Sequence, residues 1–204
     1  MKRVVLASDV HLSPARPGTT ESFLRFLRER VAGADRLCVL GDLFDFWVGR
    51  RQLGVPELEP VWDALTALSA AGTEVVLFHG NRDFLLGGPE AARCGGRVTG
   101  EEEEQELFGR RVLLLHGDSL CTLDVDYQKS KRLLRSWIPR FLSWALPRPA
   151  AFALARRVRK TSSDSVSRKS PEEMDLVGDA VRARYGEGID AMVCGHVHEI
   201  GRAS

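Results

Sequence analysis

The sequence of 204 residues has no long hydrophobic segment. Its apolar runs are the length of β-strands and stay far below the roughly 20 residues that a transmembrane helix requires. The basic start at Lys2 and Arg3 leads into the short apolar run 4–7 and then directly to Asp9, so we expect no signal peptide there. Internal repeats and low-complexity linkers are also missing. We therefore predict one globular domain that spans residues 1–204.

The sequence also has few cysteines and almost no net charge. The four cysteines are Cys38, Cys94, Cys121 and Cys194. They have no paired spacing, and three of the four lie in or beside apolar runs. This pattern favours reduced core residues in a cytosolic protein. The formal net charge is +1, with 44% hydrophobic and 28% charged residues, which is typical of a soluble globular chain. The charge predicts no general affinity for nucleic acid.

Histidine is scarce, and its distribution is informative. Five apolar runs, at 4–7, 37–40, 75–78, 112–115 and 191–194, each lead into side chains that can bind a metal; these are Asp9, His11, Asp42, His79, Asn81, His116, His196 and His198. Those positions include all five histidines. A single such residue is most often a turn former or a helix cap. Five strand ends together favour a metal site in one crevice.

Asp42 is the expected centre of that site. It follows a buried strand directly after Gly41, and a glycine at this point allows another backbone or a metal to approach closely. Helical patterns alternate with the first three strands, which predicts a largely parallel sheet covered by helices, with ligands at its carboxyl end. A hairpin is expected from Arg97 to Val112. Its acidic run, Glu101 to Glu106, favours a solvated face on an edge strand over a cation site.

The segment from 123 to 170 has a different composition. Between Lys129 and Lys160 it has many basic and aromatic residues and no Asp or Glu. We expect its prolines to break it into short helices; they are Pro139, Pro147 and Pro149. One interpretation is a pair of amphipathic core helices with a basic outer face. We favour a lid whose apolar side receives acyl chains and whose basic side meets anionic phospholipid. After it, Ser170 and Glu173 form a capping-box pattern that predicts a helix ending at Gly186.

The order of the motifs resembles the calcineurin-like metallophosphoesterase superfamily. The matching strings are Asp9-Val10-His11, Gly41-Asp42, Gly80-Asn81-Arg82-Asp83, His116-Gly117-Asp118 and Gly195-His196-Val197-His198. This resemblance implies a four-layer α/β/β/α sandwich with the helical lid inserted, and two divalent ions, with Mn²⁺ expected. It also implies that Asp9, His11, Asp42 and His198 hold one ion, and that Asp42, Asn81, His116 and His196 hold the other. Asn81, Arg82 and His116 are the implied catalytic residues.

Longer strings resemble one branch of that superfamily, the UDP-2,3-diacylglucosamine hydrolases of lipid A biosynthesis. They include Gly41-Asp42-Leu43-Phe44-Asp45-Phe46-Trp47 and His116-Gly117-Asp118-Ser119-Leu120-Cys121-Thr122. The implied reaction cleaves the pyrophosphate of a UDP-linked acylated glucosamine. The implied substrate contacts are Asn81, Arg82, Asp124, Arg159, Ser162, Lys169 and His196. The implied location is the cytoplasmic face of the inner membrane, with a phospholipid surface as the partner.

The chain departs from that branch at four positions: Leu123, Val166, Val197 and Glu199. Members of the branch also continue into further strands, so we expect those carboxyl-terminal strands to be missing from this chain. Two other classes of function therefore stay open. One is a dinuclear phosphoesterase that acts on another phosphodiester or nucleoside diphosphate. The other is a non-catalytic membrane-associated module, against which the complete set of metal ligands argues.

Overall fold

The computed structural model describes residues 3–147, 149–154, 156–158, 175–185 and 188–197. Strands β1 (Val4–Ala7), β2 (Arg36–Val39), β3 (Glu74–Phe78) and β4 (Arg97–Thr99) form a parallel sheet in that order. A second sheet contains β5 (Glu102–Leu107), β6 (Arg110–Leu115) and β7 (Ala191–Cys194). In it, β5 and β6 are antiparallel and β7 runs parallel to β6. All five strands predicted from the apolar runs are confirmed.

The helices of the described residues include α1 (Pro17–Phe26), α2 (Glu59–Ala70), α3 (Gly88–Cys94), α4 (Val125–Leu134), α5 (Trp137–Ala145) and α6 (Gly178–Tyr185). A π-helical turn at Leu27–Val31 continues α1, and short 3₁₀ turns occupy Arg50–Gln52 and Pro56–Leu58. Residues 149–154 and 156–158 are also helical. In the described part of the chain, no helix combines the length and the apolar character needed to cross a membrane.

The first sheet is covered on its outer face by α1, α2 and α3. Val61, Leu65 and Leu68 recur at helical spacing along α2 and are buried against the apolar side chains of β2 and β3. Aromatic rings fill the space beyond the strand ends, where the Phe44 and Trp47 ring centroids lie 4.4 Å apart. This layer holds the segment after β2 in place.

The two sheets pack face to face. Cys38 and Val76 of the first sheet share an apolar cluster with Val112 and Leu114 of the second. Alternate residues of β6 point the other way, where Leu113 lies in a separate cluster with residues of α6. The order of layers is therefore helices, sheet, sheet, helix. The predicted α/β/β/α sandwich is confirmed.

The acidic strand β5 lies at an edge of the second sheet, as predicted. Its acids form ion pairs with arginines: Arg97 with Glu103, Arg111 with Glu104 at 2.8 Å, and Arg184 with Glu102 at 2.8 Å. Arg97 forms a two-pronged contact with Glu103, and its second hydrogen bond measures 2.6 Å. Each of these three acids is therefore paired with its own arginine, which reduces the repulsion between like charges along this edge.

Two details of the predicted helices were wrong. Pro139 lies in the first turn of α5, where its missing N–H has no intrahelical acceptor to lose, and α4 ends before it at Leu134. The capping-box pattern predicts an unbroken helix from Ser170 to Gly186, whereas residues 175–177 are not helical and the helix before β7 runs over Gly178–Tyr185. Val177 N donates to the Leu120 carbonyl at 3.1 Å, so this backbone is bound to a neighbouring loop. Residues 170–174 lie outside the described part.

Candidate metal centre

The carboxyl ends of strands from both sheets meet at one end of the sandwich. Asp9 N donates to the Gly41 carbonyl at 3.2 Å, which joins the segments after β1 and β2. His196 N donates to Asp9 Oδ2 at 2.9 Å and joins the second sheet to the first. Because β1, β2 and β3 are parallel and in register, the polar residues that follow them arrive at the same edge.

Asp42 lies at the centre of this edge and is 2% exposed. His11 Nδ1 is 3.8 Å from its Oδ2, and His116 Nε2 is 3.8 Å from its Oδ1. The two carboxylate oxygens therefore face different imidazoles, an arrangement in which one carboxylate can serve two ions. Asp9, Asp42 and His116 each offer a ligand atom, and these atoms all lie within 4.8 Å of one another.

Several of these residues have an unusual backbone. Asp9, His11, Asp42 and His196 all have positive φ, between 53° and 75°. L-residues rarely adopt this left-handed region, which costs of order 1–3 kcal/mol each and is concentrated at functional sites. The turns that aim these side chains into the crevice are thus maintained by the surrounding structure.

The imidazole of His116 is completely buried and fixed in orientation. Its Nδ1 lies 2.9 Å from the Leu40 carbonyl, which can only accept a hydrogen bond, so Nδ1 carries the proton. Nε2 then presents its lone pair towards Asp42 and lies 3.2 Å from His196 Nδ1. A backbone carbonyl that fixes the tautomer in this way is the usual support of a histidine metal ligand.

The donor set fits a divalent cation. Asn81 Oδ1 is buried and has no hydrogen-bond partner among the described residues. Burial, with smaller contributions from the charges of Asp9 and Asp118, raises the pKa of the Asp42 carboxyl to about 7 against the lowering effect of Arg82. Carboxylates crowded in a dry crevice require a compensating positive charge to stay ionised. Oxygen and imidazole donors without thiolate suit Mn²⁺, Fe or Zn²⁺.

Two carboxylates that the sequence analysis did not assign hold the centre together. Asp83 is fully buried; its Oδ1 accepts from Gly80 N at 2.8 Å and from Asp42 N at 3.2 Å. Asp45 accepts from Arg82 Nη1 at 3.0 Å. Both residues lie within the motif strings that resemble the family, and this is the sequence signal that could have identified them. Their positioning role depends on distances that sequence spacing does not give.

Arg82 lies against the Asp42 carboxylate. Its backbone N donates to Asp42 Oδ1 at 3.0 Å, and its Nε is 3.3 Å from Oδ2. Together with the contact to Asp45, these bonds fix the guanidinium beside Asp42, and the Arg82 side chain is 40% exposed. A guanidinium in that place can stabilise charge on phosphoryl oxygens.

The predicted substrate contacts are only partly described. Asp124 caps the first turn of α4, because its side chain accepts from Tyr127 N at 3.0 Å. His198, Arg159, Ser162 and Lys169 lie outside the described residues, as do Val166 and Glu199. Of the seven predicted metal ligands, the structure therefore places six on neighbouring loops at one end of the sandwich, namely Asp9, His11, Asp42, Asn81, His116 and His196.

The comparisons with known proteins agree with this geometry. The model of the calcineurin-like phosphoesterase family matches residues 2–199. A UDP-2,3-diacylglucosamine hydrolase of Stenotrophomonas maltophilia is 41% identical, covering 94% of this chain and 80% of the relative. The enzymes of the same name from Pseudomonas putida and Aeromonas salmonicida are 37% and 41% identical, with 96% and 94% of this chain and 81% and 75% of the relatives covered. This chain belongs to the calcineurin-like phosphoesterase family.

Proposed function

We propose that this protein hydrolyses the pyrophosphate bond of UDP-2,3-diacylglucosamine and releases 2,3-diacylglucosamine 1-phosphate (lipid X) and UMP. The observation that carries the proposal is the carboxylate of Asp42 between His11 and His116, found in a chain that aligns over most of its length with hydrolases of that name. The coarser function, a metal-dependent phosphoester hydrolase, follows from the family.

We assign Asp9, His11, Asp42 and His198 to one divalent ion and Asp42, Asn81, His116 and His196 to the other, with Mn²⁺ as the expected metal. When bound, such a pair of ions activates a water molecule and neutralises phosphoryl oxygens. Asp42 would be a ligand of both ions, and its backbone is fixed because Asp42 N donates to Asp83 Oδ1. The contact of His116 Nδ1 with the Leu40 carbonyl fixes the ring so that Nε2 is the nitrogen that faces Asp42.

Arg82 has the main catalytic role among the residues that do not hold metal in this scheme. Its guanidinium is anchored by Asp42 and Asp45, and we infer that it donates to the phosphoryl group under attack. Charge-assisted hydrogen bonds of this kind strengthen as negative charge builds up on the phosphoryl oxygens. Asn81 and His196 would contact the same group. Asp124 would bind a sugar hydroxyl, and Arg159, Ser162 and Lys169 the diphosphate side of the substrate.

The lid supports a lipid substrate and a peripheral location on the cytoplasmic face of the inner membrane. Trp137, Phe141 and Trp144 follow one another at helical spacing on α5 and are 71%, 51% and 63% exposed. Large apolar side chains at this exposure are unfavourable in water and favourable at a membrane interface. Arg156 and Arg157 are exposed on the following helical segment and can meet anionic headgroups.

The decisive experiment compares two substrates. Purified protein loaded with Mn²⁺ is incubated with UDP-2,3-diacylglucosamine and, separately, with bis(p-nitrophenyl) phosphate. Release of UMP from the first at a far higher kcat/KM supports the proposal. Similar kcat/KM values on both would favour the general phosphoesterase. Absence of turnover with a full metal load would favour a non-catalytic module.

The membrane contact has its own test. The double variant Arg156→Glu/Arg157→Glu should lose flotation with vesicles that contain anionic phospholipid. The double variant Arg25→Glu/Arg28→Glu makes the same charge change on the exposed side of α1 and of the π-helical turn that continues it; this control should float like the unaltered protein. Equal flotation of all three proteins would contradict the membrane-facing lid.

A further inference from the structure

A group of charged side chains that the metal centre does not use lies beneath helix α4. Lys131 Nζ is 2.5 Å from Glu101 Oε2 and 3.1 Å from Asp118 Oδ2. Arg135 Nη2 is 3.2 Å from the same Asp118 oxygen, and its Nη1 is ion-paired with Glu101. We call these four residues the α4 ion cluster. It contains two acids and two cations, so its charges balance.

The α4 ion cluster is mostly withdrawn from solvent. The side chain of Asp118 is completely buried, and those of Lys131, Arg135 and Glu101 are 10%, 19% and 27% exposed. Charges buried in this way depend strongly on their partners, because removing one leaves another uncompensated in a medium of low polarity. The cluster therefore differs from the exposed ion pairs of the edge strand.

The two acids flank the metal-binding loop in space. Asp118 follows His116 by two residues, and the carbonyl of Glu101 accepts from His116 N at 3.0 Å. The two cations belong to the lid; Lys131 lies inside α4 and Arg135 follows its last residue. The cluster thus joins the strand end that carries His116 to the first helix of the lid.

The burial of the α4 side chains indicates that the α4 ion cluster contributes much to holding this helix on the core. Among the described side chains of α4, the only buried one is Lys131, whereas Leu133 is 64% exposed and Val125 is 54% exposed. Apolar burial therefore contributes little to fixing this helix on the core. Its contacts with the core include ion pairs and hydrogen bonds, which are short-range and directional.

A second set of hydrogen bonds connects Asp118 to Asp124, the residue that precedes α4, through Tyr127. Tyr127 OH donates to Asp118 Oδ2 at 2.5 Å, and Tyr127 N donates to the side chain of Asp124 at 3.0 Å. The Tyr127 ring is stacked on that of His196, with centroids 6.5 Å apart. One residue therefore touches Asp118, Asp124 and the candidate metal ligand His196.

We propose that Asp118 and Glu101 are positioning residues that hold helix α4 at a fixed place over the metal centre and thereby set the position of Asp124 for the substrate. The two acids act through their contacts with Lys131, with Arg135 just after α4, and with the hydroxyl of Tyr127. Neither acid contacts the substrate in this scheme. The part of the inference that concerns substrate affinity rests on the proposed function, whereas the part that concerns the position of α4 does not.

The test removes the ammonium group of Lys131 and leaves the metal ligands unchanged. Lys131→Met keeps a long unbranched side chain and removes its ammonium group; Lys129→Met makes the same change at an exposed position of the same helix and is the control. We expect Lys131→Met to raise KM for UDP-2,3-diacylglucosamine at least about tenfold and to leave turnover of bis(p-nitrophenyl) phosphate within about twofold. Its metal content, measured by elemental analysis, should equal that of the control.

Hydrogen exchange of the peptide that covers residues 125–134 gives a readout independent of substrate. Exchange should be faster in Lys131→Met than in Lys129→Met, and Lys131→Arg should restore most of the protection. Tyr127→Phe should also accelerate exchange, whereas Tyr185→Phe, a change of the other tyrosine of the chain, should not. These conservative variants avoid the risk that Asp118→Asn fails to fold.

The possible results separate the two hypotheses. If the unaltered protein releases no UMP, the proposed function fails, and the exchange measurement still decides the position of α4. Unchanged exchange in Lys131→Met would overturn the positioning role. Equal losses on both substrates, or loss of metal, would also overturn it, because they would place the cluster in support of the metal centre.

Discussion

Gly41→Ala should disrupt both the fold and the site, because Gly41 is the point where two strand ends touch. Gly41 has a φ of 84°, and a Cβ built there would lie 2.6 Å from Gly80 Cα and 2.8 Å from His116 Nδ1. Neither neighbour can move aside easily, since one is backbone and the other is a completely buried ring. The added methyl group must therefore push β2 and β3 apart directly beside Asp42.

The magnitude follows from two costs. A left-handed conformation at a non-glycine residue costs about 1–2 kcal/mol, and overpacking costs about 1–3 kcal/mol, so the free energy of unfolding should fall by about 2–5 kcal/mol. For a chain of this size, that corresponds to a decrease in Tm of about 4–20 °C. A displacement of Asp42 by about 1 Å should also lower kcat/KM by about 100-fold.

Differential scanning calorimetry and the phosphodiesterase assay measure the two effects. Gly18→Ala is the matched control, because nothing lies within 4 Å of a Cβ at that helical position. It should leave Tm unchanged or raise it slightly, since alanine restricts the unfolded chain. A Gly41→Ala protein with the Tm and activity of the control would refute the close approach of the two strand ends.

Three further predictions concern the metal and the ion pairs. Asp42→Asn should lower metal affinity and kcat more than about 100-fold while circular dichroism shows a folded chain; retained turnover would contradict the assignment of Asp42. Mn²⁺ at 100 times its Kd should add about 2.7 kcal/mol of stability for each site that it fills, which raises Tm by about 5–11 °C per site; EDTA should reverse this, and Asp42→Asn should show no such rise. The hydrogen bond from Arg97 lowers the pKa of Glu103 from 4.5 to about 2. The stability that it contributes is therefore present above pH 4.5 and lost as the pH falls through about 2, so urea unfolding of Glu103→Gln should show a deficit of about 1–2 kcal/mol at pH 7 that vanishes near pH 2.

Local patterns along the sequence determine several of the strands. The apolar runs of four residues coincide with β1 and β7 and with the last four residues of β6, and the alternation with helical patterns predicts the parallel sheet. The sequence is less informative where a pattern is compatible with two outcomes. Pro139 was expected to break a helix and instead lies in the first turn of α5, because a proline costs little there.

The sequence by itself determined which residues can bind a metal and that these residues follow the ends of strands. Both facts can be read along the chain, because they depend only on residue type and on where the apolar runs stop. Tertiary structure decided how those ends meet. The 3.8 Å distances around Asp42, the carbonyl that orients His116, and the support of Asp83 arise between residues up to 76 positions apart. Such contacts depend on how two sheets pack, and no spacing along the chain encodes that distance. The same holds for the α4 ion cluster, whose four charges come from segments that are unremarkable when each is considered alone.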